Sequence, residues 1–429
     1  MRLGGRLAAA MDVLEDIQRR HRPAADALKD WGLSHRFAGS GDRAAIGNIV
    51  YDALRRKRSA GWLLDADTPR ALGFGALLLE WNQTPEGLNA ALGGDKFAPE
   101  PLSDEEMRLA STRRLEDAPA EIRADSPDWC TPLLKDAFGE DWVAEAAGLA
   151  ARPPLDLRVN TLKANRQKVL AELSGMNAAV TAIAPHGIRI PPIDGSGRHP
   201  NVQAEPAFQK GWFEVQDEGS QVVAWLTGAA QGMQVLDYCA GAGGKTLALS
   251  AAMENKGQIF AYDSEKARLA PIFDRLKRSD NRNVQVVSKA RDLASLEGHM
   301  DIVLVDAPCT GSGTWRRRPD AKWRLSQKQL DVRTAEQKAI LDAAKLFVKP
   351  GGRLVYITCS VFPAENAGQI DAFLGREPGF APLDHRTLWK EHFPGSEDLA
   401  RIAPARGISL TPARSGTDGF YFAALRKNG

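Results

Sequence analysis

Two cysteines follow short apolar runs fifty positions apart. Cys309 ends Asp306-Ala307-Pro308-Cys309, behind Ile302-Val303-Leu304-Val305. Cys359 lies in Thr358-Cys359-Ser360, behind Leu354-Val355-Tyr356-Ile357. Runs of that kind read as strands buried on both faces, which puts both thiols at the C-terminal edge of one parallel sheet, where ligands gather in open α/β folds. A thiolate is strongly nucleophilic and also leaves well. Two of them beside a cofactor cradle suit covalent attack on a weak electrophile followed by group transfer. The cradle is Asp237-Tyr238-Cys239-Ala240-Gly241-Ala242-Gly243-Gly244-Lys245-Thr246. Free cysteines are more often inert and buried. Polar neighbours at two strand ends set Cys309 and Cys359 apart from Cys130, read as packing, and from Cys239, which lines the loop by its backbone.

The elements that must position these groups alternate strand and helix from residue 233 onward, which predicts a parallel sheet. Strands are expected at Gln234–Asp237, Gln258–Tyr262, Val284–Val287, Ile302–Val305 and Leu354–Ile357, with a late one at Phe420–Leu425. Helices are expected at 245–253, 266–277 and 335–348. The stretch 384–415 reads as long and irregular, a loop or cover over the site. Ahead of this part, 125–215 reads as a small α+β module, with strand alternation at Leu155–Val159 and a helix at 163–173. Residues 93–124 read as a linker and helix, and 1–92 as an all-α bundle in which Leu7, Met11, Leu14 and Ile17 recur at helical spacing. The expected fold is therefore α/β, preceded by an α+β module and a helical bundle.

The chain has 429 residues, of which 43% are hydrophobic and 26% charged, with a formal net charge of +2. That is the composition of a globular protein of several domains. No apolar run approaches the roughly 20 residues of a membrane span, and no membrane partner is expected. Four cysteines without a Cys-x-x-Cys pair make neither a disulfide framework nor a zinc site, so no metal is expected and the cytoplasm is the expected compartment. Global charge does not announce nucleic acid, but Arg316, Arg317, Arg318 and Lys322 directly follow the Cys309 loop. Phosphate attraction there would be direct. Trp315 and Trp323 are candidates to stack on bases, or else core residues.

Spacing excludes two familiar nucleotide loops. A P-loop needs glycine where Cys239 stands, and a dinucleotide fingerprint needs glycine or alanine where Thr246 stands. A looser loop of this kind is used by Rossmann-like methyltransferases for S-adenosylmethionine, whose ribose is met by an acid at the end of the next strand. Asp263 is placed for that role.

Together these segments strongly resemble the Sun/Fmu family of RNA cytosine-5 methyltransferases. The likeness covers residues 125–428 and rests on Gln216-Asp217-Glu218-Gly219-Ser220-Gln221, the 237–246 loop, Asp306 through Trp323, and Leu354 through Gln369 with Glu365-Asn366. It implies a Rossmann-like methyltransferase with a mainly parallel sheet, preceded by an RNA-recognition-motif-like module. It also implies an N-terminus like the NusB-like RNA-binding domain. By the same resemblance, Cys359 is the nucleophile, Cys309 assists product release, and Asp306 and Lys245 contact the target base. Cys239, Ala240, Gly241, Ala242, Gly243, Gly244, Lys245, Asp263, Asp292 and Asp306 surround the cofactor. One departure stands out: Ala290 lies where the family carries an acid near the adenine, and Asp292, two positions on, is the substitute.

The chemistry asks for these residues. C5 of cytosine is a poor nucleophile until a thiolate adds to C6. Expelling that thiolate afterwards restores the ring, and a carboxyl at N3 stabilises the adduct. The base must be unstacked to reach a thiol, so single-stranded or looped RNA is the expected partner of a monomer, with 16S rRNA preferred over tRNA. Two rivals differ in class. A DNA cytosine-5 methyltransferase would use the Pro-Cys thiol as nucleophile, and the second thiol, Cys359, speaks against it. An RNA-binding assembly factor would carry a vestigial pocket and transfer no methyl group.

Overall fold

The computed structural model describes residues 1–429. The chain divides into two compact units: 1–153 with 192–199 and 315–325, and 154–191 with 200–314 and 326–429.

The first unit is helical. Leu3–Arg20, Ser40–Arg55 and Pro69–Glu80 turn one apolar face each toward a shared core that contains Leu7, Leu14, Ile46, Val50, Leu72 and Phe74. Chain chemistry sets the helix starts. Thr68 and Thr84 cap helices that begin with proline, and Ser103 with Glu106 forms a capping box, arrangements that satisfy otherwise orphaned N–H groups. Residues 315–325 belong to this unit. Trp315 and Lys322 are fully buried, and Trp323 packs on the helical core and donates Nε1 to the Leu54 carbonyl at 2.7 Å.

The second unit holds two sheets. In the smaller one, β1 (Leu155–Val159), β2 (Ala179–Val180), β3 (Gly187–Ile190) and β4 (Phe213–Val215) lie in the order β2-β3-β1-β4, all antiparallel. The helix Arg166–Glu172 buries Val169 against this sheet's core. Strand β3 escapes sequence pattern, because Gly-Ile-Arg-Ile between two prolines is too short to alternate visibly. A buried acid ties this sheet to the rest of the unit: Glu218 accepts from the Ile183 and Ala184 N–H groups, and Arg189 forks onto Asp156 with both contacts at 2.7 Å.

The larger sheet runs β5 (Gln234–Asp237), β6 (Gln258–Tyr262), β7 (Val284–Val287), β8 (Met300–Asp306), β9 (Val348–Thr358), β10 (Phe380–Pro382), β11 (Arg401–Ala403), β12 (Gly407–Leu410) and β13 (Phe420–Lys427). Its order is β11-β12-β13-β9-β8-β5-β6-β7, with β10 paired to β13. The pairs among β7, β6, β5, β8 and β9 are parallel, and those beyond β9 are antiparallel. The fold is thus Rossmann-like, with a five-strand parallel core. Strand order reverses at β5, so the edge beside Asp237 and Asp306 is the switch point at which such sheets bind ligands.

Two expectations are corrected. Residues 384–415 are not irregular: they contain the helix His385–His392 and strands β11 and β12, which extend the sheet. Their signals are short, and β12 opens on Gly407, whose φ of +122° admits little but glycine. The helix expected at 266–277 is broken at Pro271 into Lys266–Leu269 and Ile272–Ser279, since proline removes a helical N–H.

Candidate active site

Strand register decides which side chains meet. Asp306 pairs with Ile357 across β8 and β9, and Asp237 with Leu304 across β5 and β8. Three chain segments therefore leave the sheet side by side. Lys245, in the first turn of the helix Gly244–Ala252, reaches back and donates Nζ to Asp306 Oδ2 at 2.7 Å. The ammonium is buried, while the carboxyl is one-third exposed.

The two cysteine sulfurs lie 3.4 Å apart, and both residues are half-buried. The hydrogen bond to Cys359, then burial, pushes the Cys309 thiol well above its ordinary value. The two sulfurs are within hydrogen-bond distance, and either can donate to the other.

Both cysteine loops are anchored on Glu365, a fully buried acid. Its Oε1 accepts from the Thr310 N–H at 2.8 Å and from Gln337 Nε2 at 3.0 Å. Its Oε2 accepts from Thr310 Oγ1 at 2.6 Å and from Ser360 Oγ at 2.5 Å. Gln337 also holds the Pro308 carbonyl, and Asn366 holds Thr358 Oγ1 and the Ser360 carbonyl. The residue after each cysteine thus hangs on the same carboxyl group. Glu365 had a place in the sequence motif but no role there, because only the fold brings residue 310 to residue 365.

The glycine loop has the shape a nucleoside cofactor needs. Gly241 and Gly243 have φ of +49° and +82°, and a Cβ on Gly243 would come within 2.5 Å of Ile272. The Gly241 N–H donates to Asp263 Oδ2 at 2.9 Å, and the Ala240 N–H to the Tyr262 carbonyl. Asp263 is buried beside the loop and also accepts from the Glu265 N–H. Cys239 is buried, its thiol pushed up by that burial. Asp292 lies in the turn after β7, more than half exposed and 3.7 Å from Arg291, and lines a cleft of about 190 Å³ with Ser288 and Phe260.

Asp237 is the residue that sequence reasoning left out of the site. It is fully buried, accepts from Thr246 Oγ1 at 2.6 Å, and leaves Oδ1 without a partner. An orphaned acceptor beside the glycine loop fits a cationic ligand such as S-adenosylmethionine. Burial pushes the Asp237 carboxyl up to about 7, against the opposing Thr246 hydrogen bond. A carboxyl raised on folding favours the folded state below its unfolded pKa, and that contribution is lost as pH rises through about 7. A bound cation favours the ionised form. Cofactor binding at pH 7 is therefore expected to release about half a proton, read by calorimetry in buffers of different ionisation enthalpy. Asp237→Asn should remove the release.

The basic run after Cys309 is corrected in part. Arg316 and Lys322 are buried in the helical unit rather than presented to phosphate. Arg55 donates to the Arg316 carbonyl, while Lys322 donates to the carbonyls of Asp125 and Arg55. Burial lowers the Lys322 amine to about 8. Arg317 is half-buried and Arg318 exposed. Trp315 and Trp323 are core residues of that unit. A structural lysine makes a plain forecast: Lys322→Met should leave RNA affinity within about twofold of wild type in a titration by fluorescence anisotropy, since no phosphate contact is lost.

Comparison with known proteins agrees with this geometry. The family described as 16S rRNA methyltransferase RsmB/F matches residues 224–426, and its ferredoxin-like domain matches residues 126–192. A probable ribosomal RNA small subunit methyltransferase B of Synechocystis sp. is 29% identical over 97% of this chain and 98% of its own length. Ribosomal RNA small subunit methyltransferase B of Salmonella arizonae is 34% identical over 75% of this chain and 71% of that protein. The crystal structure of PH0851 superimposes with a TM-score of 0.73 at 26% identity, covering 100% of both chains. With a parallel-sheet edge that carries a glycine cradle and paired thiols, and with relatives that match across both halves, this chain belongs to the RsmB/F family of 16S rRNA methyltransferases.

Proposed function

We propose that the protein transfers a methyl group from S-adenosylmethionine to C5 of a cytosine in 16S rRNA, through a covalent bond between Cys359 and C6. The observation that supports this reading is the thiol pair, 3.4 Å apart at the sheet edge, with the Cys309 thiol pushed above its ordinary value. Cys359 is the sulfur that attacks: as it bonds C6 its proton passes to N3, and electron density moves onto C5. Residues 239–244 with Asp263 and Asp292 would hold S-adenosylmethionine, which would supply the electrophilic methyl group. Asp306, held by Lys245, would accept a hydrogen bond from the protonated N3 while C6 is bonded to sulfur. Once C5 carries its methyl group, the C5 proton leaves to a base, and the C6–S electron pair returns to Cys359. The S–H of Cys309 stabilises that departing thiolate by the same hydrogen bond that raised its own pKa. The expected setting is the cytoplasm, where ribosomes are built.

Bisulfite sequencing of RNA from a deletion strain tests the assignment. Loss of one 5-methylcytosine in 16S rRNA is expected. Loss in tRNA instead would overturn the rRNA target, and loss in neither would overturn the activity.

A further inference from the structure

With Arg316 and Lys322 buried, Arg318 alone of the four bases after Cys309 is exposed. Two segments of the second unit carry clusters of bases. Residues 163–168 hold three bases and no acid, and residues 266–282 hold six bases against two acids. The fold joins them. Lys163 Nζ donates to the Arg278 carbonyl at 3.0 Å, and Asn160 Nδ2 donates to the Ser279 carbonyl at 2.8 Å, at the C-terminal end of the helix Ile272–Ser279. At its other flank this helix touches the cofactor loop, where Arg275 donates to the Ala242 carbonyl at 2.8 Å. Half-buried Trp212 lies among these groups, with Lys168 Nζ 3.8 Å and Lys210 Nζ 5.1 Å from its ring centre.

Some of this charge is structural. Arg275 and Arg278 both pair with buried Glu214, and Lys163 caps a helix end. Those contacts explain how the small sheet docks. They do not explain Lys168, Lys210 and Lys277, which are exposed and have no acid within ion-pair distance. Lysines crowded without counter-ions repel one another, and phosphates relieve that repulsion.

We infer that this surface, from the cofactor loop along helix 272–279 to Trp212, binds the phosphodiester backbone of the single-stranded RNA flanking the target nucleotide. Lys168, Lys210 and Lys277 neutralise phosphates, and Trp212 offers a ring to an unstacked base. The assignment rests on RNA being the substrate, as proposed above. A protein partner with an acidic face is the other candidate, and nothing apolar enough to anchor one lies among these residues except Phe273.

The test uses the full-length triple variant Lys168→Gln, Lys210→Gln, Lys277→Gln and, separately, Trp212→Ala. The probe is a fluorescent single-stranded fragment of 16S rRNA, titrated at several salt concentrations. Each lost phosphate contact lowers the salt slope by about 0.7 on single strands, so three should lower it by about 2, with affinity at least about tenfold weaker at low salt. Cofactor affinity, measured separately, should stay at the wild-type value. A triple variant that keeps both the affinity and the slope of wild type overturns the inference and leaves the surface to a protein partner. A wild-type protein that binds no RNA would instead overturn the proposed function, an outcome the two titrations distinguish.

Discussion

Replacing Cys359 with alanine is expected to abolish both methylation and the covalent adduct with RNA, whereas replacing Cys309 with alanine should leave the protein trapped on its RNA. The asymmetry follows from the two roles proposed for the pair, whose sulfurs lie 3.4 Å apart: Cys359 attacks, and Cys309 gives a hydrogen bond to the thiolate as it leaves. Without Cys359 there is no sulfur to bond C6, and the loss should reach at least about 10³-fold in rate, as for other covalent nucleophiles. Without Cys309 the attack still proceeds, but the departing thiolate loses its donor, so the intermediate accumulates. RNA containing 5-azacytosine, run on denaturing gels, reads the adduct directly. The reverse pattern would exchange the two roles, and equal activity in both variants would sink the covalent mechanism.

Glu365 should matter almost as much, although it is placed to touch neither thiol. Glu365→Ala leaves the Thr310 N–H, Thr310 and Ser360 hydroxyls and the Gln337 amide without their common acceptor. Buried donors left unpaired cost about 1–3 kcal/mol each, so a lower unfolding temperature is expected. Glu365→Gln keeps the volume but turns a second donor toward donors, and isolates the effect on chemistry. The loops that carry Cys309 and Cys359 would then lose their shared anchor. A displacement of about 1 Å at reacting groups costs on the order of 10²-fold. Single-turnover methylation should show that loss in kcat with cofactor affinity preserved. Activity within twofold of wild type would mean that the backbone bonds alone hold the loops.

Much of this site could be read along the chain. The strands β5, β6 and β7 lie where the alternation of strand and helix predicted, because that pattern is local in the chain. Cys309, Cys359, Lys245 and Asp263 were legible for the same reason: each follows a strand or opens a helix, and strand ends share one edge. Asp237 lay within the glycine motif, yet its orphaned oxygen and raised carboxyl come from burial that no local pattern encodes.

The basic run 316–322 shows the opposite limit. Its charges suggested an exposed phosphate contact, but Lys322 is drawn inside by backbone carbonyls of Asp125 and Arg55, residues roughly two hundred or more positions away in the chain. Likewise, the convergence on Trp212 joins residues from three separate segments. Chain order determines which groups stand at strand ends, since strand geometry is periodic and local. Long-range packing alone decides which of them meet, which are buried and which keep a proton, because those outcomes depend on desolvation and on partners distant in sequence.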